Sequence, residues 1–282
     1  MSGFYWIASY PKSGNTWLRL ALYALLNPND PLASLEKIRF APNASRRNDV
    51  EDALDIESGD LTAAELQALR PVAYRVLAQE ARQPLYRKVH DAWTEIAPGV
   101  PLFPPEVTLG AIIVVRDPRD VAVSWAHFAG IGMDEAIAAL CDPAAMLRGR
   151  TDRPTLNIPQ RLLCWSGHVH SWLGARCRQG CLVRYEDMLA DPAAVLRRVA
   201  GYIGAPHDEG EIDRAVAATR FEALRERERQ HGFDGGQRSG RPFFRSGRAG
   251  GWREALTQTQ AARIRETHSQ TMRMLGYLEE PT

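Results

Sequence analysis

Segment 10–17, with the sequence YPKSGNTW, has the residue types of an anion-binding loop. It separates an apolar stretch from an amphipathic one, so a helix should begin near its end. The free N–H groups and the dipole of a helix N-terminus attract anions, Lys12 adds a full charge, and Ser13 and Thr16 add hydroxyl donors. The segment predicts a phosphate-binding loop, although it lacks the Gly-x-x-x-x-Gly-Lys-Ser/Thr pattern of a Walker A motif. The alternative is a plain turn in which Gly14 supplies a positive φ and Thr16 caps the helix.

A second candidate is Arg116, which directly follows the most apolar run of the chain, 109–115. At the end of a strand, its guanidinium would project over the edge of the sheet. Ser124 lies two helical turns beyond Pro118, and a guanidinium with a hydroxyl suits a phosphate monoester. The alternative is a surface ion pair between Arg116 and Asp117 or Asp120.

A third candidate is the pair Lys88 and His90, at the end of a short run that reads as a strand. Residues two apart on a strand share a face, so the ammonium and the imidazole would point into the same space. Histidine is the side chain whose ordinary pKa best suits proton removal near neutral pH. His90 is therefore a candidate general base, with a structural histidine as the alternative.

A fourth candidate is the basic segment 237–253, which contains five arginines and no acidic residue. Its charges are interspersed with glycines. Its arginines are Arg238, Arg241, Arg245, Arg248 and Arg253. Such a segment can fold over a polyanion through guanidinium and backbone N–H groups, and we expect it to stay mobile until that ligand arrives. The alternative is a solvated loop.

The elements that must position these residues alternate between short apolar runs and longer helical patterns. Strands are predicted at 4–9, 85–89, 109–115 and 181–183. Helices are predicted at 16–26, 63–81, 121–128, 193–203, 209–218 and 256–275. This alternation predicts an α/β fold, a single domain over 1–282 with a central parallel sheet flanked by helices. Ligands of such sheets bind beyond the carboxyl ends of the strands, where the first three candidates lie.

Composition excludes several classes of protein. Lys and Arg number 35 against 34 Asp and Glu, so the net charge of +1 argues against a general nucleic-acid binder. The apolar stretch 20–26 is far shorter than the ~20 residues of a membrane span. The N-terminal residues carry no signal-peptide pattern, and four cysteines do not make a disulfide framework. We therefore expect a cytoplasmic protein with no nucleic-acid or membrane partner.

Taken together, the four segments resemble one family, the sulfotransferases that use 3′-phosphoadenosine 5′-phosphosulfate (PAPS). Segment 10–17 resembles the 5′-phosphosulfate loop of that family, and Arg116 followed by Ser124 resembles its 3′-phosphate motif. Lys88-Val89-His90 is similar to the Lys-Thr-His segment that carries the family's catalytic histidine.

Three further segments carry the same resemblance, in the order of the family. Tyr185-Glu186-Asp187 resembles a stretch whose tyrosine approaches the nucleotide. Thr219-Arg220-Phe221 resembles a Thr/Ser-x-Phe element beside the adenine. Segment 245–252, RSGRAGGW, matches the closing Arg-x-Gly-x-x-Gly-x-Trp signature. The matches run from residue 5 to residue 252, which is nearly the whole chain.

The resemblance implies a P-loop-kinase-like sulfotransferase fold and transfer of a sulfuryl group from PAPS to a hydroxyl, or less often an amine. Products would be a sulfate ester and 3′,5′-ADP, with no metal involved. His90 would remove the acceptor proton, and Lys12 would neutralise charge on the bridging oxygen with help from Lys88 and Thr16. The implied cofactor-binding residues are Lys12, Ser13, Gly14, Asn15, Thr16, Trp17, Arg116, Ser124, Tyr185, Thr219, Phe221, Arg245, Ser246 and Gly247.

Aromatic residues in the loops suggest an apolar or ring-bearing small-molecule acceptor. The candidates for its pocket are Trp93, Phe103, Phe128, Trp165, His168 and Trp172. Val89 and Ser246 depart from the usual Thr and Lys of the family. The family's dimerisation element is only partly matched after Trp252, which leaves the oligomeric state open. Two alternatives remain: an NTP-dependent P-loop kinase, and a catalytically silent nucleotide-binding protein on the same fold.

Overall fold

A computed structural model describes residues 2–29, 32, 35, 40–147, 156–175, 180–233 and 242–279. Its strands are β1 (Phe4–Ser9), β2 (Leu85–Val89), β3 (Glu95–Ala97), β4 (Val100–Pro101), β5 (Thr108–Val115), β6 (Met146–Leu147), β7 (Gln160–Arg161) and β8 (Cys181–Arg184). Its helices are α1 (Asn15–Leu26), α2 (Arg47–Leu54), α3 (Ala63–Glu80), α4 (Pro118–Ala129), α5 (Met133–Cys141), α6 (Trp165–Leu173), α7 (Tyr185–Ala190), α8 (Pro192–Ile203), α9 (Glu209–Ala218), α10 (Phe221–His231), α11 (Trp252–Ala255) and α12 (Gln258–Met274).

The main sheet has the strand order β2-β1-β5-β8. β1 and β2 run parallel, with Phe4 opposite Leu85 and Ala8 opposite Val89. Two short antiparallel pairs, β3 with β4 and β6 with β7, form separate two-stranded sheets. The predicted α/β class with a central parallel sheet is confirmed.

The described chain divides into two compact units that interleave along the sequence. The first contains Met1–Tyr10, Ala41–Ile113 and Asp142–Cys181, and the second contains Pro11–Phe40, Val114–Cys141 and Leu182–Thr282. The organisation as one domain over 1–282 stays a prediction.

The first unit is built around aromatic side chains. Phe4 and Trp6 of β1 are fully buried and stack with ring centroids 4.5 Å apart. Tyr74 of α3 and Phe103 pack their rings against Trp6 at 5.1 and 4.9 Å. A strand with such residues must be covered on its faces, and in the sheet β1 lies between β2 and β5.

The second unit has its own apolar cluster, made of Leu20, Leu32, Leu35, Leu224 and Phe244. Its helix α4 begins where the sequence reads Asp-Pro: the Asp117 carboxylate accepts the N–H of Arg119, and Pro118 occupies the first turn. Because α4 begins so soon after β5, only Arg116 and Asp117 lie between the two elements, and the cap fixes Asp117.

Several helices have bounds or positions that the sequence patterns do not indicate. α1 and α4 begin one and three residues before their predicted starts, at Asn15 and Pro118. α10 was not predicted because its sequence FEALRERERQH is almost entirely polar, and only Leu224 is buried. Residues 237–241 of the basic segment, including Arg238 and Arg241, lie outside the described residues. In the part of the chain that the structure describes, no helix is long and apolar enough to cross a membrane.

Candidate active site

The loop between β1 and α1 has an unusual backbone. Lys12 and Gly14 both adopt positive φ, 71° and 101°. A Cβ on Gly14 would lie 2.7 Å from the Tyr185 ring, so a glycine is needed here for conformation and for space. Ser13 is fully buried, and its Oγ has no hydrogen-bond partner among the described residues. A buried hydroxyl of this kind is suited to an anionic ligand.

Lys12 is held between two aromatic rings. Its Nζ lies 4.1 Å from the centroid of Phe128 and 4.2 Å from that of Phe243. Burial, together with the positive charges of Arg116 and Arg245, lowers the pKa of Lys12 to about 7, and Glu228 partly opposes this. The amine therefore loses its proton far more readily than an ordinary lysine does.

Arg116 follows β5 directly and reaches back to the loop. Its guanidinium lies 4.3 Å from the centroid of the Tyr185 ring. One terminal nitrogen donates to the Arg248 carbonyl at 3.2 Å and the other to the Lys12 carbonyl at 3.4 Å. Its Nε is buried with no hydrogen-bond partner in the described ranges. The structure thus brings Arg116, Tyr185 and Lys12 together within the second unit.

The two carboxylates near Arg116 have other partners. Asp117 binds the Arg119 guanidinium, with a shortest distance of 2.7 Å. Asp120 accepts the N–H groups of Gly250 and Trp252 at 2.6 and 2.9 Å, which fixes the glycine-rich signature to α4. The alternative of a surface ion pair with these residues does not describe Arg116, which is buried and stacked on an aromatic ring.

The residues expected beside the adenine also meet in this unit. Trp17 donates its indole N–H to the Thr219 carbonyl at 2.9 Å and packs edge-on against Tyr185 at 5.8 Å. A Cβ on Gly247, whose φ is 58°, would lie 2.4 Å from the Phe221 ring. The Thr219 hydroxyl donates to the Ala215 carbonyl at 2.7 Å, so it is already used at the end of α9.

The described part of the basic segment is anchored at more than one point. The Glu228 carboxylate accepts the N–H groups of Phe243 and Phe244 at 2.5 and 3.0 Å. Arg245 is exposed, and Ser246 and Gly247 are partly buried. Trp252 lies under the Arg119 guanidinium, 3.9 Å from the ring centroid, which gives this end of the segment a second point of attachment.

The remaining predicted site residues lie on α1, α4 and β2. Asn15 is the first residue of α1 and is buried, and Thr16 follows it on the same helix. Ser124 lies on α4 and is partly exposed, and Lys88 lies on β2.

His90 belongs to the first unit. β2 ends at Val89, as predicted, and His90 follows the strand directly with 8% of its surface exposed. Its Nδ1 lies 2.8 Å from the Ser9 carbonyl oxygen. Because a carbonyl can only accept, Nδ1 must carry the ring proton, and Nε2 is then the unprotonated nitrogen that a base requires.

The aromatic candidates for an acceptor pocket are mostly core residues. Phe103, Trp165, His168 and Trp172 are each at most 1% exposed. Phe103 packs against Trp172 at 5.1 Å and against Trp93 at 5.5 Å. These buried side chains no longer argue for an apolar acceptor, whereas Trp93 and Phe128 are partly exposed.

Sequence reasoning did not assign Arg70, Asp91 or Phe243. The position of Asp91, directly after His90, could have indicated a role near the base. The position of Phe243, within the basic segment, could likewise have indicated a role near the anion. Arg70 had none, because a single arginine on a helix reads as a solvated residue. Over the described ranges, no group of three or more His, Cys, Asp or Glu side chains is placed to hold a metal ion.

Comparison with known proteins places these features in a family. A profile of the sulfotransferase domain matches residues 4–276. Sulfotransferase 1C2 of Rattus norvegicus is 24% identical over 271 residues, covering 94% of this chain and 82% of that protein. Cytosolic sulfotransferase 16 of Arabidopsis thaliana is 24% identical over 281 residues, covering 92% and 72%.

Two solved structures share the fold. Retinol dehydratase in a complex with retinol and PAP aligns with a TM-score of 0.64 at 20% identity, covering 99% of this chain and 83% of that one. Mouse sulfotransferase SULT7A1 complexed with PAP aligns with a TM-score of 0.59 at 17% identity, covering 96% and 85%. With the family profile spanning nearly all of its length, the chain belongs to the sulfotransferase domain family and is a sulfotransferase.

Proposed function

We propose that this sulfotransferase moves a sulfuryl group from PAPS to a hydroxyl, or less often an amine, of a small molecule, giving a sulfate ester and 3′,5′-ADP. The observation that carries the proposal is the pair of buried polar atoms, Ser13 Oγ and Arg116 Nε, without partners in the described part of the second unit. Leaving such an atom unpaired costs about 1–3 kcal/mol. Anionic oxygens of a nucleotide would satisfy both, and PAP is the nucleotide named in the solved complexes of similar fold.

The donor nucleotide would be held by three groups of residues. The 5′-phosphosulfate group would be held by Lys12, Ser13, Gly14, Asn15, Thr16 and Trp17. The 3′-phosphate would be held by Arg116, Ser124, Arg245, Ser246 and Gly247. The base would lie near Tyr185, Thr219 and Phe221. Bound PAPS would supply the sulfuryl group for transfer.

His90 is the proposed general base. With Nδ1–H donated to Ser9, its Nε2 can accept the proton of the attacking hydroxyl. Lys12 would neutralise negative charge at the bridging oxygen, assisted by Lys88 and Thr16. For this role Lys12 must be protonated, and nearby phosphate charge would raise its pKa from the value of about 7 that burial imposes.

The acceptor is proposed to be a small apolar or ring-bearing molecule. Solved structures of similar fold contain retinol or androsterone, and the partly exposed Trp93 and Phe128 are aromatic. We also propose a cytoplasmic location, because curated relatives are named cytosolic sulfotransferases.

The proposal is tested by sulfate transfer from labelled PAPS to a panel of phenols, sterols and primary alcohols. His90→Ala should lower turnover by ~10²-fold or more, the usual size of a lost general base. It should leave 3′,5′-ADP affinity within a few-fold of wild type. His170→Ala, an exposed histidine of the same unit, serves as the matched control and should keep full turnover.

The competing functions give different results. A kinase would be stabilised by ATP in thermal shift and would transfer phosphate, whereas the proposed enzyme should be stabilised by 3′,5′-ADP far more than by ATP. A silent binding protein would be stabilised by 3′,5′-ADP but would sulfate no acceptor. Normal turnover of folded His90→Ala would remove His90 from the mechanism.

A further inference from the structure

A fully buried ion pair lies next to the proposed base. Arg70 of α3 and Asp91, the residue after His90, are both 0% exposed. The two guanidinium nitrogens Nη1 and Nη2 donate to the two carboxylate oxygens at 3.0 and 2.8 Å. Such pairs usually contribute little to stability, because removing two charges from water offsets most of their attraction. Stability therefore does not explain why this ion pair is buried next to His90.

The peptide backbone at His90 and Asp91 is held from several sides. The Trp172 indole donates to the Asp91 carbonyl at 2.9 Å. Nε2 of His168 lies 3.2 Å from the His90 carbonyl oxygen, so it must carry a proton and donate. Burial lowers the pKa of His168 to about 4, which keeps the ring neutral with one N–H to give.

The same network reaches the backbone of Lys88. Arg70 also donates from Nε to the Tyr74 hydroxyl at 3.0 Å, and that hydroxyl donates to the Ala44 carbonyl at 2.8 Å. The Ala44 N–H in turn donates to the Lys88 carbonyl at 2.8 Å, and the Lys88 N–H donates to the Pro42 carbonyl at 3.0 Å. Arg70 is thus linked by hydrogen bonds to the residues before and after Val89, to Asp91 directly and to Lys88 through Tyr74 and Ala44.

We propose that Arg70 and Asp91, together with His168, are positioning residues that hold the His90 imidazole in register for proton removal. The inference rests on the proposed function and assigns residues that act through His90 rather than on the substrate. A base works only within hydrogen-bond reach of its proton, and a misplacement of about 1 Å can cost ~10²-fold in rate. An ion pair with fixed two-point geometry sets a peptide position more tightly than apolar packing does.

The decisive variant is the double substitution Arg70→Met with Asp91→Leu. Replacing a buried ion pair by apolar side chains of similar size is often neutral or stabilising, so this variant should fold with a Tm at or above that of wild type. Its single-turnover rate of sulfate transfer should fall by ~10-fold or more. Its Kd for 3′,5′-ADP and its half-saturating acceptor concentration should stay within about threefold of wild type, a split that general unfolding would not produce.

The matched control removes the exposed ion pair between Arg75, which also lies on α3, and Glu106. Arg75→Met with Glu106→Leu should leave the single-turnover rate within twofold of wild type. A folded Arg70→Met/Asp91→Leu protein that also reacts within twofold of wild type would overturn the positioning role.

A second pair of variants tests the inference even if the double variant does not fold. His168→Gln keeps an N–H donor for the His90 carbonyl, and His168→Leu does not. The single-turnover rate should be at least ~5-fold higher for His168→Gln, and equal rates in two folded proteins would count against the inference. In the same assay, sulfate transfer by the wild-type protein and its loss in His90→Ala would support the proposed function. Failure of the positioning role is therefore separable from failure of the function.

Discussion

Binding of 3′,5′-ADP should draw a proton from solution, because Lys12 binds phosphate as a cation but is largely neutral in the free protein above pH 7. Burial, reinforced by Arg116 and Arg245, lowers its pKa from 10.5 to about 7. At pH 8 only about a tenth of free molecules carry the Lys12 charge. If the nucleotide restores a pKa near the ordinary value, binding at pH 8 takes up about 0.9 proton.

The same linkage sets the pH dependence of affinity. The bound state holds more protons than the free state between pH 7 and the restored pKa, so affinity must fall as pH rises through that range. Between pH 7 and pH 9 the fall should be about 50-fold. The nucleotide phosphates, with a second pKa near 6, are already about nine-tenths ionised at pH 7, so their titration adds little over this range.

Calorimetry at pH 8 in buffers of different ionisation enthalpy measures the proton uptake directly. Lys12→Met should bind 3′,5′-ADP more weakly, with an uptake near zero and an affinity nearly independent of pH from 7 to 9. An uptake below about 0.3 in wild type, or the same uptake in Lys12→Met, would refute the assignment of the lowered pKa to Lys12.

Other changes probe the second unit. Arg116→Ala should weaken the binding of 3′,5′-ADP by ~1.5–3 kcal/mol and the binding of 5′-AMP much less, as measured by titration. Equal losses of binding free energy would mean that the 3′-phosphate site is misassigned. Gly14→Ala should lower stability by at least ~1 kcal/mol in urea unfolding, because its φ of 101° and the Tyr185 ring at 2.7 Å both oppose a Cβ. An unchanged midpoint would contradict that geometry. Hydrogen exchange over 242–253 should slow when 3′,5′-ADP binds, and exchange that is equally slow with and without nucleotide would mean a fixed element rather than a closing segment.

Local patterns were sufficient to predict the framework of this fold. The run 4–9 reads as a buried strand from its apolar residues alone, and β1 occupies that range. α9 and the start of α3 were also placed correctly, since an apolar stripe and capping residues are properties of short windows. α10 was not, because a single buried leucine cannot outweigh ten other residues of mostly polar character.

The order of motifs along the chain, from the loop at 10–17 to the signature at 245–252, was enough to predict the family, because each motif is contiguous. Only the tertiary structure decided what surrounds the reactive groups. The rings of Phe128 and Phe243 lie against Lys12 from positions more than a hundred residues away, and burial together with Arg116 and Arg245 lowers the pKa of the amine. Arg70 is likewise far from Asp91 in sequence but joined to it in space. Burial, desolvation and hydrogen-bond partnership arise from contacts distant in the chain, and no short window of sequence contains them.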